Sequence, residues 1–294
     1  MGRGDLTNEE CSRLKPHLPK SVEQGGRWAS HRRIIKGILY RQRTGEMPWR
    51  DLPARFGSWK TVYERHRHWS ADGAWDRIFA AVLADADAEG RIDWSMVSVD
   101  FTSCRAHQHA AGAVRRPPRV PGNDARPGQH RPDEGFGRSR GGLTSKIHLA
   151  REGGRRPLAF LITPGQWGDA PQFVPVMERI WVGRLDGGRP RTRPDRLGGD
   201  KAYSSRHNRR YLRRRQIKHT IPEPKGQRAN RQRRGSKGGR PTGFDKTIQE
   251  RRNEVERTIN ALKNSRAVAT RYDKRAYVFH GTVTVAAIRL WLRV

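Results

Sequence analysis

The chain has 294 residues, and its 61 Lys and Arg against 29 Asp and Glu give a formal net charge of +32. This excess attracts polyanions, and the basic residues are spread along the chain without a long apolar segment, which favours nucleic acid over a membrane as the partner. Cys11 and Cys104 stand far apart in no ligand-spaced motif, so neither a zinc site nor a disulfide framework is indicated, and a reducing cytoplasm fits.

Residues 1–90 are predicted to form a helical DNA-binding domain. Thr7, with a Glu three residues later, matches a capping box, and apolar residues at helical spacing stop at Gly45. Two short helices joined at "RFGS" resemble a helix-turn-helix, whose second helix enters the major groove of DNA. In that second helix we expect the aromatic residues to be largely core and the opposite face, which includes Lys60 and Arg65, to contact DNA.

From Ile92 onward the periodicity becomes strand-like. "SMVSVDFTS" predicts a strand ending near Asp100, two further strand candidates follow, and "DRLGGDKAY" predicts a short strand that breaks at Asp200. Helices are predicted between and after the later strands, the longest being "FDKTIQERRNEVERTINALKNS". Three strands followed by alternating helices and strands indicate an α/β domain with an antiparallel start over residues 91–294.

Two segments of this domain are strongly basic. Residues 105–142 are rich in Pro, Gly and Arg, so no packed core is expected there without a partner. Residues 206–240 contain fourteen Lys or Arg and a single acid, Glu223. The ordinary explanation of such a run is a solvated segment. Because the two segments flank the candidate acids, contact of both with a phosphate backbone is favoured.

Asp100 and Asp200 are isolated acids at or near the ends of predicted strands. Two carboxylates held close together repel each other, and a divalent cation between them relieves that repulsion. Mg²⁺ prefers carboxylates together with water and phosphate oxygens, and a pair of such ions can promote phosphodiester displacement. Strand-end aspartates are also common turn formers, so the spacing alone leaves both explanations open.

Several separate blocks of the chain resemble one family. In order, these are "VDFTSCRAHQHAAGA", "GRSRGGLTSKIHL", "PLAFLITPGQ", "DKAYSS", "GGRPTGFD" and "RRNEVERTINALKNSRAVATRYDK". They are similar to bacterial insertion-sequence transposases of the DDE type, most closely the insertion-sequence family usually numbered five, within the broader insertion-sequence-four-like superfamily. The stretch "GEMPWRDLPARFGSWKTVYERHRHWSADGAWDRI" is similar to that family's front domain, so the resemblance covers nearly the whole chain.

This resemblance implies an α/β fold. It consists of a ribonuclease H-like catalytic domain, with a mixed five-stranded sheet and flanking helices, preceded by a small helix-turn-helix-like domain. Carried over residue by residue, the catalytic acids are Asp100, Asp200 and Glu256. Glu256 falls in the family signature Tyr-x2-Arg-x3-Glu-x6-Lys, read back from Lys263, which makes Arg252 the signature arginine.

The signature departs from the family pattern at its first position, where Gln249 replaces the tyrosine. Its remaining members have helical spacing and share one stripe. Beside this stripe lies an apolar one that we expect to pack on the sheet, formed by Val255, Ile259 and Leu262. Glu256 is then expected at the border of the buried face. Glu254 lies roughly 200° away around the helix on the other flank, and ion pairing with nearby arginines is its ordinary explanation.

The family resemblance implies a DDE transposase. Such an enzyme binds the inverted-repeat ends of an insertion sequence, cleaves them by metal-dependent hydrolysis and joins the 3′-hydroxyl ends to target DNA. The three acids would hold two Mg²⁺ ions, which Mn²⁺ can replace. The side chains expected on DNA are Arg252, Lys263, Lys201, Arg138, Arg140, Lys146, Lys60 and Arg65.

The expected partner is double-stranded DNA, as terminal inverted repeats and as target. Pairing two ends implies a homodimer or larger synaptic complex. No membrane is involved, and we expect a bacterial cytoplasmic protein associated with the nucleoid. Two alternatives remain open, namely a metal-dependent nuclease without strand transfer and a catalytically inactive DNA-binding relic, for which Gln249 is the argument.

Overall fold

The computed structural model describes residues 5–20, 28–112, 134–139, 142–239, 241, 245 and 254–293. Its N-terminal region is helical, with α1 at Asn8–Leu14, α2 at His31–Thr44, α3 at Trp59–Ala71 and α4 at Ala74–Ala88. The predicted capping box is confirmed, because the Glu10 backbone N–H donates to Thr7 Oγ1 and the Thr7 N–H donates to Glu10 Oε2. The predicted end of α2 at Gly45 is also confirmed, and this glycine has a φ of 70°.

The chain between α2 and α3 differs from the prediction. Instead of one short α-helix before "RFGS", it forms two separate 3₁₀ turns, Trp49–Asp51 and Ala54–Phe56. Pro53 lies between them and lacks the backbone N–H that a continuous helix would use. The pair of short helices expected around "RFGS" is therefore two 3₁₀ turns followed by α3.

In the described residues, seven strands form one mixed sheet. Their bounds are β1 at Val97–Ala106, β2 at Gly137–Ser139, β3 at Gly142–Arg151, β4 at Pro157–Pro164, β5 at Arg196–Gly199, β6 at Lys218–Thr220 and β7 at Thr270–Arg271. β2 and β4 pair with successive parts of β3, while β5 and β7 pair with opposite ends of β1. Because β2 and β4 share one edge of β3, and β5 and β7 share one edge of β1, the seven strands occupy five positions across the sheet. β3 is antiparallel to β1, whereas β5 and β6 are parallel to β1. This is the mixed five-stranded arrangement that was predicted for a ribonuclease H-like fold.

β1 is longer than its sequence predicts. It runs six residues beyond Asp100, because β3 pairs with it in antiparallel fashion from Ser98 to Arg105. On the opposite edge, β5 pairs only with residues 97–99 and β7 only with residues 105–106. Within the described part of the chain, residues 100–104 of β1 thus have a strand partner on one side only.

Seven further helices are described after β1. These are α5 at Gln108–Ala111, α6 at Phe173–Glu178, α7 at Arg206–Arg214, α8 at Lys225–Arg233, α9 at Glu254–Lys263, α10 at Arg266–Ala269 and α11 at Ala276–Leu292. α11 is apolar almost all round, as expected of a helix buried on every side, and it packs against α3, α4 and β4. No helix within the described ranges is long and apolar enough to cross a membrane.

The expectation that residues 105–142 form no packed structure is wrong at both ends of the segment. Its first two residues belong to β1, and Glu134 near its far end is only 3% exposed. The Glu134 carboxylate accepts hydrogen bonds from Arg275 (2.9 Å) and from the backbone N–H of Ala276 (2.6 Å), the first residue of α11. A carboxylate at a helix N-terminus is favoured there, so a non-local charge pair holds this end in place. Residues 113–133 lie outside the described residues.

A buried hydrogen-bond chain joins the helical region to α11. Trp75 Nε1, which can only donate, bonds to His66 Nδ1 (3.2 Å). Burial lowers the pKa of His66 to about 4, so the ring is neutral and its proton lies on Nε2, which donates to Thr282 Oγ1 (3.1 Å). The Thr282 hydroxyl donates in turn to Asp273 Oδ2 (2.8 Å). Side chains from both predicted domains therefore share one interior, while the boundary at residues 90 and 91 stays a prediction.

We expect Thr282→Val to lower the free energy of unfolding by about 1–3 kcal/mol, because a nearly isosteric side chain would leave a buried His66 N–H without its acceptor. Denaturant unfolding of the full chain measures the loss. The matched control is Thr44→Val, whose hydroxyl bonds to carbonyls of its own helix, and it should change stability by no more than about 0.5 kcal/mol. Equal losses in the two variants would contradict a connecting role for Thr282.

Candidate active site and nucleic-acid interface

The sheet register places Asp100 beside Asp200. Val99 of β1 is the partner of Gly199 of β5 in a parallel ladder, and each aspartate is the next residue along its chain. Adjacent strands lie about 4.8 Å apart, so the two backbones are neighbours at the carboxyl end of this ladder. Asp100 is 8% exposed and Asp200 is partly exposed. The structure therefore brings together two of the three predicted acids.

The two aspartates accept the same kind of backbone hydrogen bond. In each case the carboxylate accepts a hydrogen bond from the backbone N–H of the following residue, at 2.9 Å for Asp100 and 2.6 Å for Asp200. Asp200 thereby caps the 3₁₀ turn Lys201–Tyr203. Asp100 lies at the start of the β1 segment that has no strand partner on the β5 side within the described residues.

Glu256 lies on α9, which packs against β1. The predicted apolar stripe is confirmed, because Val255 and Leu262 are buried and Ile259 packs against the core. Thr258 on the same face donates through Oγ1 to the Arg155 carbonyl (2.9 Å). The Glu256 side chain is exposed, beside this buried face.

Lys263, at the end of α9, donates from Nζ to the Ser103 carbonyl of β1 (3.2 Å). It therefore holds α9 against the part of β1 that lacks a second strand partner within the described ranges. The neighbouring Cys104 is buried, and burial raises the pKa of its thiol to about 11 although Lys263 opposes the shift. A thiol with that pKa is protonated at neutral pH, so Cys104 is not an activated nucleophile.

Carboxylate oxygens are the ligands that Mg²⁺ prefers, and the Asp100 and Asp200 pair fits such an ion in its chemistry and its backbone placement. Among the residues that the structure describes, no group of three or more His, Cys, Asp or Glu side chains is arranged to hold a metal. The structure thus places Glu256 on the adjacent helix without joining its carboxylate to the aspartates. Three-acid metal ligation stays a prediction.

The predicted DNA-contacting residues fall into three groups. Lys201, Lys60 and Arg138 are exposed. Lys146 is already paired with Asp169 (Nζ to Oδ1, 2.9 Å), and Arg65 stacks 4.2 Å from the ring centre of Trp28. Lys263 bonds to β1 as described above, and Arg140 and Arg252 lie outside the described residues, as does Gln249.

A cationic surface on the N-terminal region was not singled out from the sequence. Four basic side chains and Asp5 line a cavity of about 310 Å³ at the start of α2, the basic ones being Arg32, Arg33, Lys36 and Arg55. The α2 residues among them alternate with the buried residues of the same helix, so its 3.6-residue period contained the signal. Arg55 comes from the following 3₁₀ turn, and its guanidinium is held over the rings of Tyr40 (5.2 Å) and Phe56 (4.8 Å).

Ser204 links the Asp200 turn to the basic helix α8. It is 5% exposed, and its hydroxyl donates to Gln227 Oε1 (2.9 Å), while Gln227 Nε2 donates to the Ser204 carbonyl (2.7 Å). Arg209 of α7 donates to the same hydroxyl (2.9 Å). The sequence carries no local signal for this contact, because Ser204 and Gln227 are 23 residues apart.

Two family models match the chain. One, described as "Transposase DDE domain", matches residues 92–291, and the other, described as "Putative transposase of IS4/5 family", matches residues 6–79. The first alone covers more than half of the chain. The matched residues include Asp100, Asp200 and Glu256.

Individual proteins are similar over parts of the chain. The "Insertion element IS402 uncharacterized 16.2 kDa protein" of Burkholderia cepacia is 42% identical over 96 residues, which are 32% of this chain and 65% of that protein. The "Putative transposase for insertion sequence element IS6501" of Brucella ovis is 27% identical over 152 residues, which are 51% of this chain and 100% of that protein.

A solved structure, "Mos1 transposase paired-end complex with left transposon end", matches 87% of this chain and 83% of its own chain, with a TM-score of 0.26 and 10% identity. The family assignment comes from the model that spans the sheet and both aspartates. With that match, the chain belongs to the DDE transposases of bacterial insertion sequences.

Proposed function

We propose that this protein binds the inverted-repeat ends of an insertion sequence, cleaves them by metal-dependent hydrolysis and joins the freed 3′-hydroxyl ends to target DNA. The observation that carries the proposal is the register of β1 and β5, which puts Asp100 and Asp200 side by side in a transposase DDE domain. The net charge of +32 supports a polyanionic substrate.

Asp100 and Asp200 would hold divalent metal, with Glu256 as the third carboxylate from α9. Two Mg²⁺ ions, or Mn²⁺ in their place, are the ions that this set of oxygen ligands favours. When bound, such ions lower the pKa of an attacking water or hydroxyl and stabilise the oxygen that leaves. The two aspartates already accept hydrogen bonds from the backbone, which orients their carboxylates before any ligand arrives.

The reaction consists of two displacements at phosphorus. In the first, a water oxygen bonds to the phosphorus at the element's end, the bond to the 3′ oxygen breaks, and a 3′-hydroxyl and a 5′-phosphate result. In the second, that 3′-hydroxyl oxygen attacks a target phosphodiester and the target's own 3′ oxygen leaves. One phosphodiester bond replaces another, so strand transfer needs no energy cofactor and no covalent enzyme intermediate.

Basic side chains around the acids would contact the DNA backbone. Lys201 is exposed next to Asp200, and Lys263 at the end of α9 reaches the Ser103 carbonyl of β1, three residues beyond Asp100. Arg252 belongs to this proposed set through the family signature. Simultaneous engagement of two element ends would require a homodimer or a larger synaptic complex.

For end recognition, the N-terminal region offers the cationic surface of α2 together with Lys60 on α3. Arg65, in contrast, has a structural part in this region, because it stacks on Trp28 and bonds to His31. We therefore place the DNA ends on α2 and on the exposed residues of α3.

We expect Asp100→Asn, Asp200→Asn and Glu256→Gln each to reduce Mg²⁺-dependent cleavage at least about a thousandfold, since metal ligation contributes several kcal/mol to such a transition state. Binding of duplex DNA carrying the element's native flanks should stay within about twofold. Cleavage and joining assays on this DNA, including pre-cut ends, measure both steps.

The matched control for Glu256→Gln is Glu254→Gln on the same helix, which should cleave like the wild type. Normal cleavage by Glu256→Gln together with loss in Glu254→Gln would show that the third acid has been assigned to the wrong residue. Wild-type protein that cleaves but never joins pre-cut ends would identify a nuclease without strand transfer. Wild-type protein that binds the ends and does neither would identify a catalytically inactive relic.

The double variant Arg33→Gln/Lys36→Gln should weaken binding of the same DNA about tenfold and lower the slope of log affinity against log salt by about 1.8, because two phosphate contacts are lost. The control Arg184→Gln/Arg189→Gln removes the same charge from an exposed loop and should leave the slope unchanged. Fluorescence anisotropy titrations at several salt concentrations measure both. Equal slopes for the two double variants would exclude α2 as a phosphate-binding surface.

A further inference from the structure

α8 is a helix without an apolar face. Its nine residues, all within the described part of the chain, include none that is buried. They carry four positive charges and no negative one, from Lys225, Arg228, Arg231 and Arg233. A helix that is polar all round gains nothing from packing, and like charges three or four residues apart destabilise it further. Another source must supply the free energy that keeps this segment helical.

Among the residues that the structure describes, two polar contacts hold α8 in place. The first is the Ser204–Gln227 pair, with its two reciprocal hydrogen bonds. The second is the ion pair of Arg231 with Glu223 just before the helix (3.2 Å). A pair of hydrogen bonds and a partly exposed ion pair stabilise the position of a helix only modestly. These contacts fix where α8 lies, but only Arg231 is neutralised by them, so the charges of Lys225, Arg228 and Arg233 are left for a ligand to balance.

The place where α8 is held is the turn that carries Asp200. Ser204 comes four residues after Asp200, and its backbone N–H donates to Lys201 within the same 3₁₀ turn (3.0 Å). Its hydroxyl has both of its roles filled, since it accepts from Arg209 and donates to Gln227. Ser204 is nearly fully buried while Gln227 is exposed, so these two hydrogen bonds join the acid's turn directly to the surface helix α8.

We propose that the Ser204–Gln227 pair positions α8 as a cationic wall beside Asp200, and that the phosphate backbone of the DNA being cleaved lies against this wall. The inference rests on the proposed function and adds to it a positioning residue, Gln227, and a ligand for α8. Phosphates along the helix neutralise the charges that repel each other, so DNA supplies the stabilisation that packing does not. In the absence of DNA, these two contacts hold α8 only weakly, so the helix opens readily.

Hydrogen–deuterium exchange of the full-length protein tests this directly. Backbone amides of residues 225–233 should exchange rapidly in the free protein and at least about tenfold more slowly with bound duplex DNA, in metal-free buffer that prevents cleavage. In Gln227→Ala this DNA-dependent protection should be lost. The half-saturating DNA concentration for cleavage should rise about tenfold, as expected for loss of the two bonds, while the rate at saturating DNA stays within about twofold.

The matched control is Gln232→Ala, which makes the same substitution at an exposed position of the same helix. It should retain the protection and the half-saturating concentration of the wild type. Slow exchange of residues 225–233 without DNA, or identical behaviour of the two variants, would overturn the inference. Because protection is read without cleavage, failure of the proposed function would appear separately, as wild-type protein whose α8 is protected by DNA but which cleaves no ends.

Discussion

The two edges of β1 are used differently, and the arrangement of the site depends on this. One edge pairs with β3 along almost the whole strand, while the other is divided between β5 and β7 with an unpaired interval between them in the described residues. Asp100 is the first residue of that interval, and Asp200, the first residue after β5, lies beside it. A slip of one residue would send Asp100 to the opposite face of the sheet. The long antiparallel pairing with β3 fixes the register against such a slip.

The positive charge of the chain is divided between two uses. Some cations have buried or stacked partners and stabilise the fold, as Lys146 does with Asp169, Arg275 with Glu134, and Arg65 with Trp28. Others lie on surfaces without enough acid to balance them, above all on α2, α7 and α8. The first group raises the stability of the free protein. The second group lowers the stability of the free protein through mutual repulsion, and a bound polyanion relieves this repulsion.

The helical region and the sheet share an interior, so the helical region has a fixed position relative to Asp100 and Asp200. His66 on α3 is connected through Thr282 on α11 to Asp273, and α11 also packs against β4. In the proposed function, a DNA end bound on α2 would therefore lie at a fixed distance from the aspartates. The packing of helices, rather than the length of a linker, would set where along the bound DNA the cleaved bond falls.

Local signals in the sequence determined the capping box at Thr7, the end of α2 at Gly45, the break of β5 at Asp200 and the buried stripe of α9, because each depends on residues within a few positions of one another. The family resemblance supplied the acids and the sheet. Only the tertiary structure decided that β1 continues past Asp100, that Lys146 and Arg65 have internal partners, and that α8 is held by Ser204. Those features rest on contacts between residues tens of positions apart, for which hydrophobic periodicity and local capping carry no information.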